Sequence, residues 1–379
     1  MKKTIAIIGA SYLQRPLVEK AKEMGLRTIC FAWAEGAVCK DICDRFYPIS
    51  IVEKEEILAI CREEQIAGIC TIASDVAAPT VAYVAREMGL TANSYESALR
   101  ANNKFLMREA LTKAGVPCPK YICLKDEMPD IRSLGMQLPL IVKPSDRSGS
   151  MAVTKVTEWS GLAEAVRLAQ RASFKNEAMV EEFIDGREIS VEMISCGGKH
   201  YALQITDKVT TEAPHFVELA HHQPSDLPAD MQTHIFSLTR RALDALGLTC
   251  GASHSEYKIT REGRIAVMEI GGRMGGDFIG SDLVRLSTGY DFLQGVIEVA
   301  LGQTIHPQPQ PIAHSGVYFL SAETPQVKEY IDHADKYPEI VAAEQTDYEL
   351  HHLTCSGDRS GYFIYRDNKR FEIGEQKHV

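Results

Sequence analysis

No stretch of this 379-residue chain is apolar for long enough to cross a bilayer. The nearest candidate, Thr4-Ile5-Ala6-Ile7-Ile8, stops at Gly9 and is followed by Ser11, Gln14 and Arg15, so neither a membrane span nor a secretory leader is expected. A basic excess is missing as well. Forty-one Lys and Arg stand against 51 Asp and Glu, a formal net charge of -10, which argues against nucleic acid or an anionic membrane as the main partner. The ten cysteines show no paired zinc spacing and fall mostly inside apolar segments such as Thr28-Ile29-Cys30-Phe31; reduced, buried thiols and a cytoplasmic location are the expectation. There is no fixed-period repeat and no low-complexity tract. The first strand is followed by Gly9-Ala10-Ser11-Tyr12-Leu13 rather than a three-glycine fingerprint, and bulky Tyr12 sits where backbone would have to approach a pyrophosphate, so dinucleotide binding is not expected.

What is present is an ordinary globular composition, 45% hydrophobic and 24% charged, in a chain too long for one core. Apolar runs at residues 4–8, 27–32 and 68–73 alternate with helical stripes at 17–24, 55–64 and 78–88. That alternation predicts an α/β domain with a doubly wound parallel sheet over residues 1–95. A helix over about 94–114 carries Asn103-Lys104 and closes at Gly115, before Val116-Pro117-Cys118-Pro119 ends regular structure. Beyond this connector, placed at 96–116, strands at 139–143, 151–156 and 179–184, a helix at 161–172 and a fourth strand at 187–195 predict a small α+β lobe over 117–190. A larger lobe is expected over 191–302. Residues 303–379, with strands near 316–322 and 362–365 and a helix near 325–333, are read as a small C-terminal subdomain.

The most informative pair is Glu256 and Glu269, on two β-arms turned by Arg261-Glu262-Gly263-Arg264 with Gly263 supplying a positive φ. Pairing Thr260 with Ile265 also sets Glu256 opposite Glu269. Opposed residues have Cβ atoms about 4.5 to 5.5 Å apart, where like charges repel, so the two carboxylates ask for a cation. Hard oxygen donors with positions open for phosphate oxygens suit Mg²⁺, or Mn²⁺ in its place, over a soft metal. Upstream, Lys143 ends a strand before Pro144-Ser145-Asp146-Arg147-Ser148-Gly149-Ser150, whose N–H groups and hydroxyls suit a phosphate chain, although no Gly-Lys-Ser/Thr follows as in a Walker A motif. In isolation such a segment is more often a plain turn beside a solvated lysine. Glu181-Glu182-Phe183-Ile184, with Glu188 two residues past Gly186, offers backbone for an adenine edge and a carboxylate for ribose hydroxyls; a solvated acidic hairpin is the competing account.

Taken in chain order, Asn103-Lys104 with Met107-Arg108, Ile141-Val142-Lys143-Pro144 with its Ser/Gly loop, Glu181 to Ile184 with Glu188, and Glu256, Glu269 and Arg273 resemble the ATP-grasp superfamily over roughly residues 100 to 280. The resemblance implies a two-lobed α+β ATP-grasp domain after the α/β domain, with ATP and Mg²⁺ bound. By it, Lys104, Lys143, Ser148, Gly149 and Ser150 would meet phosphates, Glu181, Glu182, Phe183 and Ile184 would form the adenine hinge, and Glu188 would hold ribose. Glu256 and Glu269 would bind the metal, and Arg273 would act in catalysis on the phosphoryl group and the later oxyanion. Many members read Glu-x-Asn-x-Arg in the last motif, whereas this chain has Gly271 at the Asn position, which removes one metal ligand.

The segment Gln204-Ile205-Thr206-Asp207-Lys208, followed by Pro214-His215-Phe216-Val217-Glu218-Leu219-Ala220-His221, is similar to the substrate segment of the L-amino-acid ligases. That similarity implies that Glu218 and His221 engage an amino acid; apart from it they read as a solvated surface loop. The implied activity is an ATP-dependent, ADP-forming carboxylate–amine ligase working through an acylphosphate, with small-molecule carboxylate and amine substrates and a homodimer left open. The alternatives are a ligase of purine or carbamoyl-phosphate type metabolism, a kinase on the same nucleotide site, and a nonenzymatic nucleotide-binding module.

Overall fold

A computed structural model describes residues 2–125, 129–147, 151–211 and 215–374. Ser148, Gly149 and Ser150 of the expected phosphate loop, and Pro214 of the expected substrate segment, lie outside the described residues. Strand Thr4–Ile8 lies between Arg27–Phe31 and Gly68–Cys70, with Arg45–Tyr47 at the outer edge, all parallel. Both faces of this sheet are buried, which is why its strands read as unbroken apolar runs. Ile5 and Ile7 pack with helix Arg15–Glu23 and with helix Phe292–Ala300 from far along the chain; Ala6 and Ile8 pack with Lys54–Glu63 and Ala78–Met88. The doubly wound architecture is the one expected.

The predicted helix over 94–114 is two helices, Tyr95–Asn102 and Lys104–Lys113. Asn103 breaks them with an extended backbone (φ -107°, ψ 115°), and its side-chain oxygen accepts the Leu106 N–H at 2.9 Å. Asn at such a position satisfies an otherwise orphaned helix donor, so the break is chemically favoured. It also fixes Lys104, whose N–H donates to the Ser145 carbonyl at 2.7 Å and thereby ties the helix start to the end of the Lys143 strand.

A second sheet is antiparallel, in the order Tyr121–Leu124, Ala178–Glu182, Leu140–Pro144, Thr154–Val156. Helix Leu162–Ala172 covers it, burying Ala165, Val166 and Ala169 against Val142 and Val180. The edge strand Tyr121–Leu124 was not anticipated, and Arg187–Cys196, expected as the fourth strand here, belongs to the third sheet. That sheet has eight antiparallel strands: Ile265–Gly271, Gly251–Ile259, Arg187–Cys196, Lys199–Thr210, Glu218–Gln223, His314–Leu320, Gly361–Asp367 and Ile340–Gln345. Helices Lys104–Lys113 and Ala229–Leu246 pack on its first strands through Leu111, Ile235, Leu238 and Leu243. The C-terminal residues therefore extend the large sheet edge to edge, with helix Val327–Asp332 laid beside them. Among the described residues, no helix is long and apolar enough to cross a membrane.

Candidate active site

The hairpin carrying the two glutamates closes one residue earlier than expected. The Thr260 N–H donates to the Arg264 carbonyl and the Gly263 N–H to the Thr260 carbonyl, both at 2.9 Å, with Gly263 at φ +83°, the pattern of a three-residue loop with a left-handed third residue. Ile259, not Thr260, therefore faces Ile265, a register that would place Glu256 opposite Met268. A bulge between the Tyr257↔Val267 and Glu256↔Glu269 pairs takes up the extra residue and returns Glu256 to Glu269.

Each carboxylate is already met by a cation. Glu269 lies 3.1 Å from the Lys104 ammonium, and one Glu256 oxygen lies 2.6 Å from Lys208 Nζ and 3.3 Å from His254 Nε2. Lys208 is buried and reaches three carboxylates, Glu256, Glu188 (3.2 Å) and Glu218 (3.3 Å). Burial alone would lower its pKa, but Glu256, Glu188 and Glu218 hold the ammonium well above its ordinary value. Burial would likewise raise the Glu256 carboxyl, yet Lys208 and His254 keep it well below. The two carboxylates, each now paired with a buried ammonium, are hard oxygen donors that fit a divalent cation once those ion pairs open. Among the described residues there is no cluster of three or more His, Cys, Asp or Glu for a metal, so further coordination of such a cation would fall to phosphate oxygens or water.

His254 supports this arrangement from behind. Its Nδ1 lies 2.6 Å from the fully buried Glu192, and although burial pushes the imidazole down, Glu192 and Glu256 lift it to about 9. A pKa raised in the fold contributes stability that is complete below the ordinary value near 6.5 and disappears as pH rises through about 9. His254→Gln should therefore lower unfolding free energy by about 3 kcal/mol near pH 6, with the gap to the unsubstituted protein closing by about pH 10. Urea denaturation at several pH values checks this; a gap independent of pH would refute it.

A cavity of about 170 Å³ lies between the two antiparallel sheets. Lys104, Lys143, Arg147, Glu188, Glu256 and Glu269 line its polar side, and Ile141, Phe183, Ile184, Phe216 and Met268 its apolar side. Seven residues singled out in the sequence thus meet here: Lys104, Lys143, Phe183, Ile184, Glu188, Glu256 and Glu269. The side chains of Glu181 and Glu182 do not line it. Glu181, 1% exposed, is held between Arg108 Nε (2.9 Å) and Lys143 Nζ (2.7 Å). Glu182 turns toward Arg264 and accepts the Lys120 N–H at 3.0 Å. Within this corner, among the described residues, Arg108, Lys143 and Lys104 are paired only with Glu181 and Glu269. Burial, with Arg108 and Lys104 adding to it, lowers the Lys143 pKa despite its partner Glu181. The excess positive charge suits an anionic ligand.

Arg273 lies apart from that cavity's lining. Its Nε and Nη2 donate to the two oxygens of Asp75 at 2.9 and 2.7 Å, joining the hairpin end to the loop after strand Gly68–Cys70. The same contact accounts for Gly271: a Cβ there would sit 2.6 Å from Asp75 Oδ1. Glu218 pairs with Lys208 and with Arg359 Nη2 (3.0 Å), and His221 is buried with neither ring nitrogen hydrogen-bonded among the described residues. Burial lowers the His221 pKa, so its imidazole is neutral. Lys208, His254, Arg147 and Asp75 were not identified from the sequence, since their partners lie up to 198 positions away; the only local signal was that Lys208 and Arg147 sat inside segments already singled out and that His254 stands two residues before Glu256.

Residues 136–282 match the ATP-grasp domain family. The chain is 28% identical over 248 residues to an alanine–anticapsin ligase of Bacillus amyloliquefaciens, covering 59% of this chain and 51% of that one. It is 34% identical over 159 residues to a D-alanine–D-alanine ligase of Methylibium petroleiphilum, covering 39% and 49%. The chain thus spans about half the length of these curated relatives. The crystal structure of an L-amino acid ligase from Bacillus licheniformis superposes with a TM-score of 0.80 at 22% identity, over 97% of this chain and 94% of that one.

Proposed function

Since this chain carries an ATP-grasp domain, we propose that it is an ATP-dependent, ADP-forming carboxylate–amine ligase with an amino acid among its substrates. The observation that carries the proposal is the single cavity in which a cation-rich corner, a register-paired acidic couple and an apolar wall meet. Adenine is assigned to the wall of Ile141, Phe183, Ile184 and Met268, with hinge backbone from 181–184 at its edge, and ribose hydroxyls to Glu188. Lys104, Lys143 and Arg147 take phosphate oxygens. Glu256 and Glu269 would hold Mg²⁺, which when bound neutralises charge on the transferring phosphate.

The substrate carboxylate oxygen attacks the γ-phosphorus as the bond to the β,γ-bridging oxygen breaks, giving an acylphosphate and ADP. The amine nitrogen then attacks the acyl carbon, inorganic phosphate leaves and the nitrogen gives up a proton. No protein nucleophile is needed; positioning and charge neutralisation do the work. Arg273, its plane fixed by Asp75, is assigned to the phosphoryl group and the tetrahedral oxyanion. Glu218 and neutral His221 are assigned to the amino acid, the imidazole being able to accept the amine proton. Both named relatives act on amino-acid substrates by their names, which supports that class. Ten free thiols fit a reducing, cytoplasmic setting.

A coupled ADP-release assay over an amino-acid panel tests the proposal. Phosphate and an amide should form in step with ADP; a stable phosphorylated product instead would establish a kinase, and silence across the panel would refute ligation. Glu218→Ala should raise the amino-acid KM about tenfold or more while the KM for ATP changes less than about threefold. A collapse of ATP affinity alone would show that Glu218 serves the nucleotide through Lys208 rather than the amino acid.

A further inference from the structure

A second cavity lies where the N-terminal sheet meets the large one, enclosed by the end of strand Gly68–Cys70, helices Ala78–Met88, Tyr95–Asn102 and Phe292–Ala300, and the start of strand Gly251–Ile259. Among the described residues, none lines both this cavity and the one assigned to ATP. Its volume is about 70 Å³, room for about five waters or a molecule of about five non-hydrogen atoms, since one water needs roughly 10 to 15 Å³. Small side chains make the space: Ala82, Ala98, Ala101 and Ala300 stand on the three helices around it. Ile69, Val296 and Val299, all buried, add apolar wall. Side chains around such a void forfeit contacts that close packing would supply, and an apolar cavity stays dry or takes up a small apolar molecule.

The lining carries two charged side chains among the described residues, Asp75 and Arg273, and they neutralise each other through hydrogen bonds of 2.9 and 2.7 Å. The further charges acting on this pair are themselves matched: Lys104 with Glu269, and His254 with Glu192 and with Glu256, which Lys208 also holds. Burial pushes the Cys70 thiol up to about 12, so it is neutral. An ion would therefore find no uncompensated charge in the lining, and an uncharged ligand fits. Hydrogen-bonding groups come from the half-buried Thr91, Asn93 and Asn102. Asn93 Oδ1 already accepts the Thr249 and Cys250 N–H groups at 2.8 and 2.9 Å, which leaves its NH₂ end to donate.

The cavity also touches the segment that carries Arg273. Thr71 and Asp75 line it on one side of that segment, Gly272 and Arg273 on the other. Ile72 bridges Met274 in parallel, and the Ala73 N–H donates to the Met274 carbonyl at 3.0 Å, so the loop after strand Gly68–Cys70 and the end of the glutamate hairpin are tied together beside the void. We propose that this cavity is a binding site for a small uncharged molecule with an apolar body and one hydrogen-bonding end, and that filling it fixes Asp75 and with it the Arg273 guanidinium. The effect on turnover rests on the ligase reading; the binding does not.

The test is ligand-observed saturation-transfer NMR on the full chain, saturated with MgADP, with probes matched in shape and different in charge: isobutyramide against isobutyrate, and tert-butanol against tert-butylammonium. At least one neutral probe should show transfer that Ala98→Leu and Ala82→Ile, which fill the space, each abolish. Neither charged probe should show a component that those variants remove. The rise in melting temperature given by MgADP shows that a variant is folded, and should one fail to fold the other decides. In turnover, the same neutral probe should raise kcat about twofold or more with the KM for ATP within about twofold. Ala98→Leu should show the raised kcat without the probe, and Asp75→Asn should not respond to it. No transfer from either neutral probe, transfer unchanged in the filled variants, or an equal loss for the charged probes would overturn the site; a kcat that the bound probe does not move would overturn its link to Arg273. Failure of the ligase reading looks different: transfer intact, with no ADP released.

Discussion

Glu269→Gln should leave a folded protein, with the expected Mg²⁺-dependent turnover lowered on the order of a thousandfold. The substitution keeps the shape and removes the charge from one of two register-paired carboxylates, while the partner Glu256 stays tied to Lys208 and His254. A single carboxylate already shared by two cations is a poor site for a divalent ion, so the phosphate charge goes uncompensated. The fold is little affected, because Glu269 is 31% exposed at its side chain and its one ion pair among the described residues is with Lys104; such partly solvated pairs contribute about 0 to 1 kcal/mol. Activity and melting temperature therefore separate. A turnover within about threefold of the unsubstituted enzyme would move the metal elsewhere, and a large drop in melting temperature would make Glu269 structural.

Local chemistry was legible in the sequence and long-range pairing was not. The parallel domain announced itself because strands buried on both faces are apolar throughout, as in Ile5-Ala6-Ile7-Ile8. Strand Tyr121–Leu124 did not, being a four-residue edge strand with three half-buried residues. The Glu256–Glu269 register came out right through two offsetting shifts: a turn one residue tighter than expected and a bulge that restored the count. Asn103 looked like one residue of a long helix, although its side chain makes a better cap than helix interior. In the site, residues that line the cavity were recoverable from the motifs, but the motifs could not say that the side chains of Glu181 and Glu182 would be spent internally. Nor could they say that Arg273 would meet Asp75 from the loop after strand Gly68–Cys70, or that the C-terminal strands would bring Arg359 to Asp277.

Glu181→Gln should destabilise the protein by about 3 to 5 kcal/mol, a large share of a typical domain's stability. Glu181 stands between a guanidinium with no exposed surface, Arg108, and the buried ammonium of Lys143. A neutral amide leaves both cations without a counter-charge. Burial raises the Glu181 carboxyl, but Arg108 and Lys143 more than offset it and hold the group at about 2 against an ordinary value of 4.5. A depressed acid contributes stability that is complete above the unfolded value and is lost as pH falls through the folded one, here between about 4.5 and about 2. The shift corresponds to about 3 kcal/mol, consistent with the loss expected from breaking the pair. Urea midpoints should thus show the full difference between the two proteins at pH 7 and a shrinking one as the acid range is entered, because protonation does to the unsubstituted chain what the amide does to the variant. The consequence for function is specific: Lys143, already depressed by burial and by Arg108 and Lys104, would be depressed further, and ATP affinity should fall most at high pH, where the unpaired lysine gives up its proton. A destabilisation that persisted unchanged to pH 2 would place its origin in packing rather than in charge.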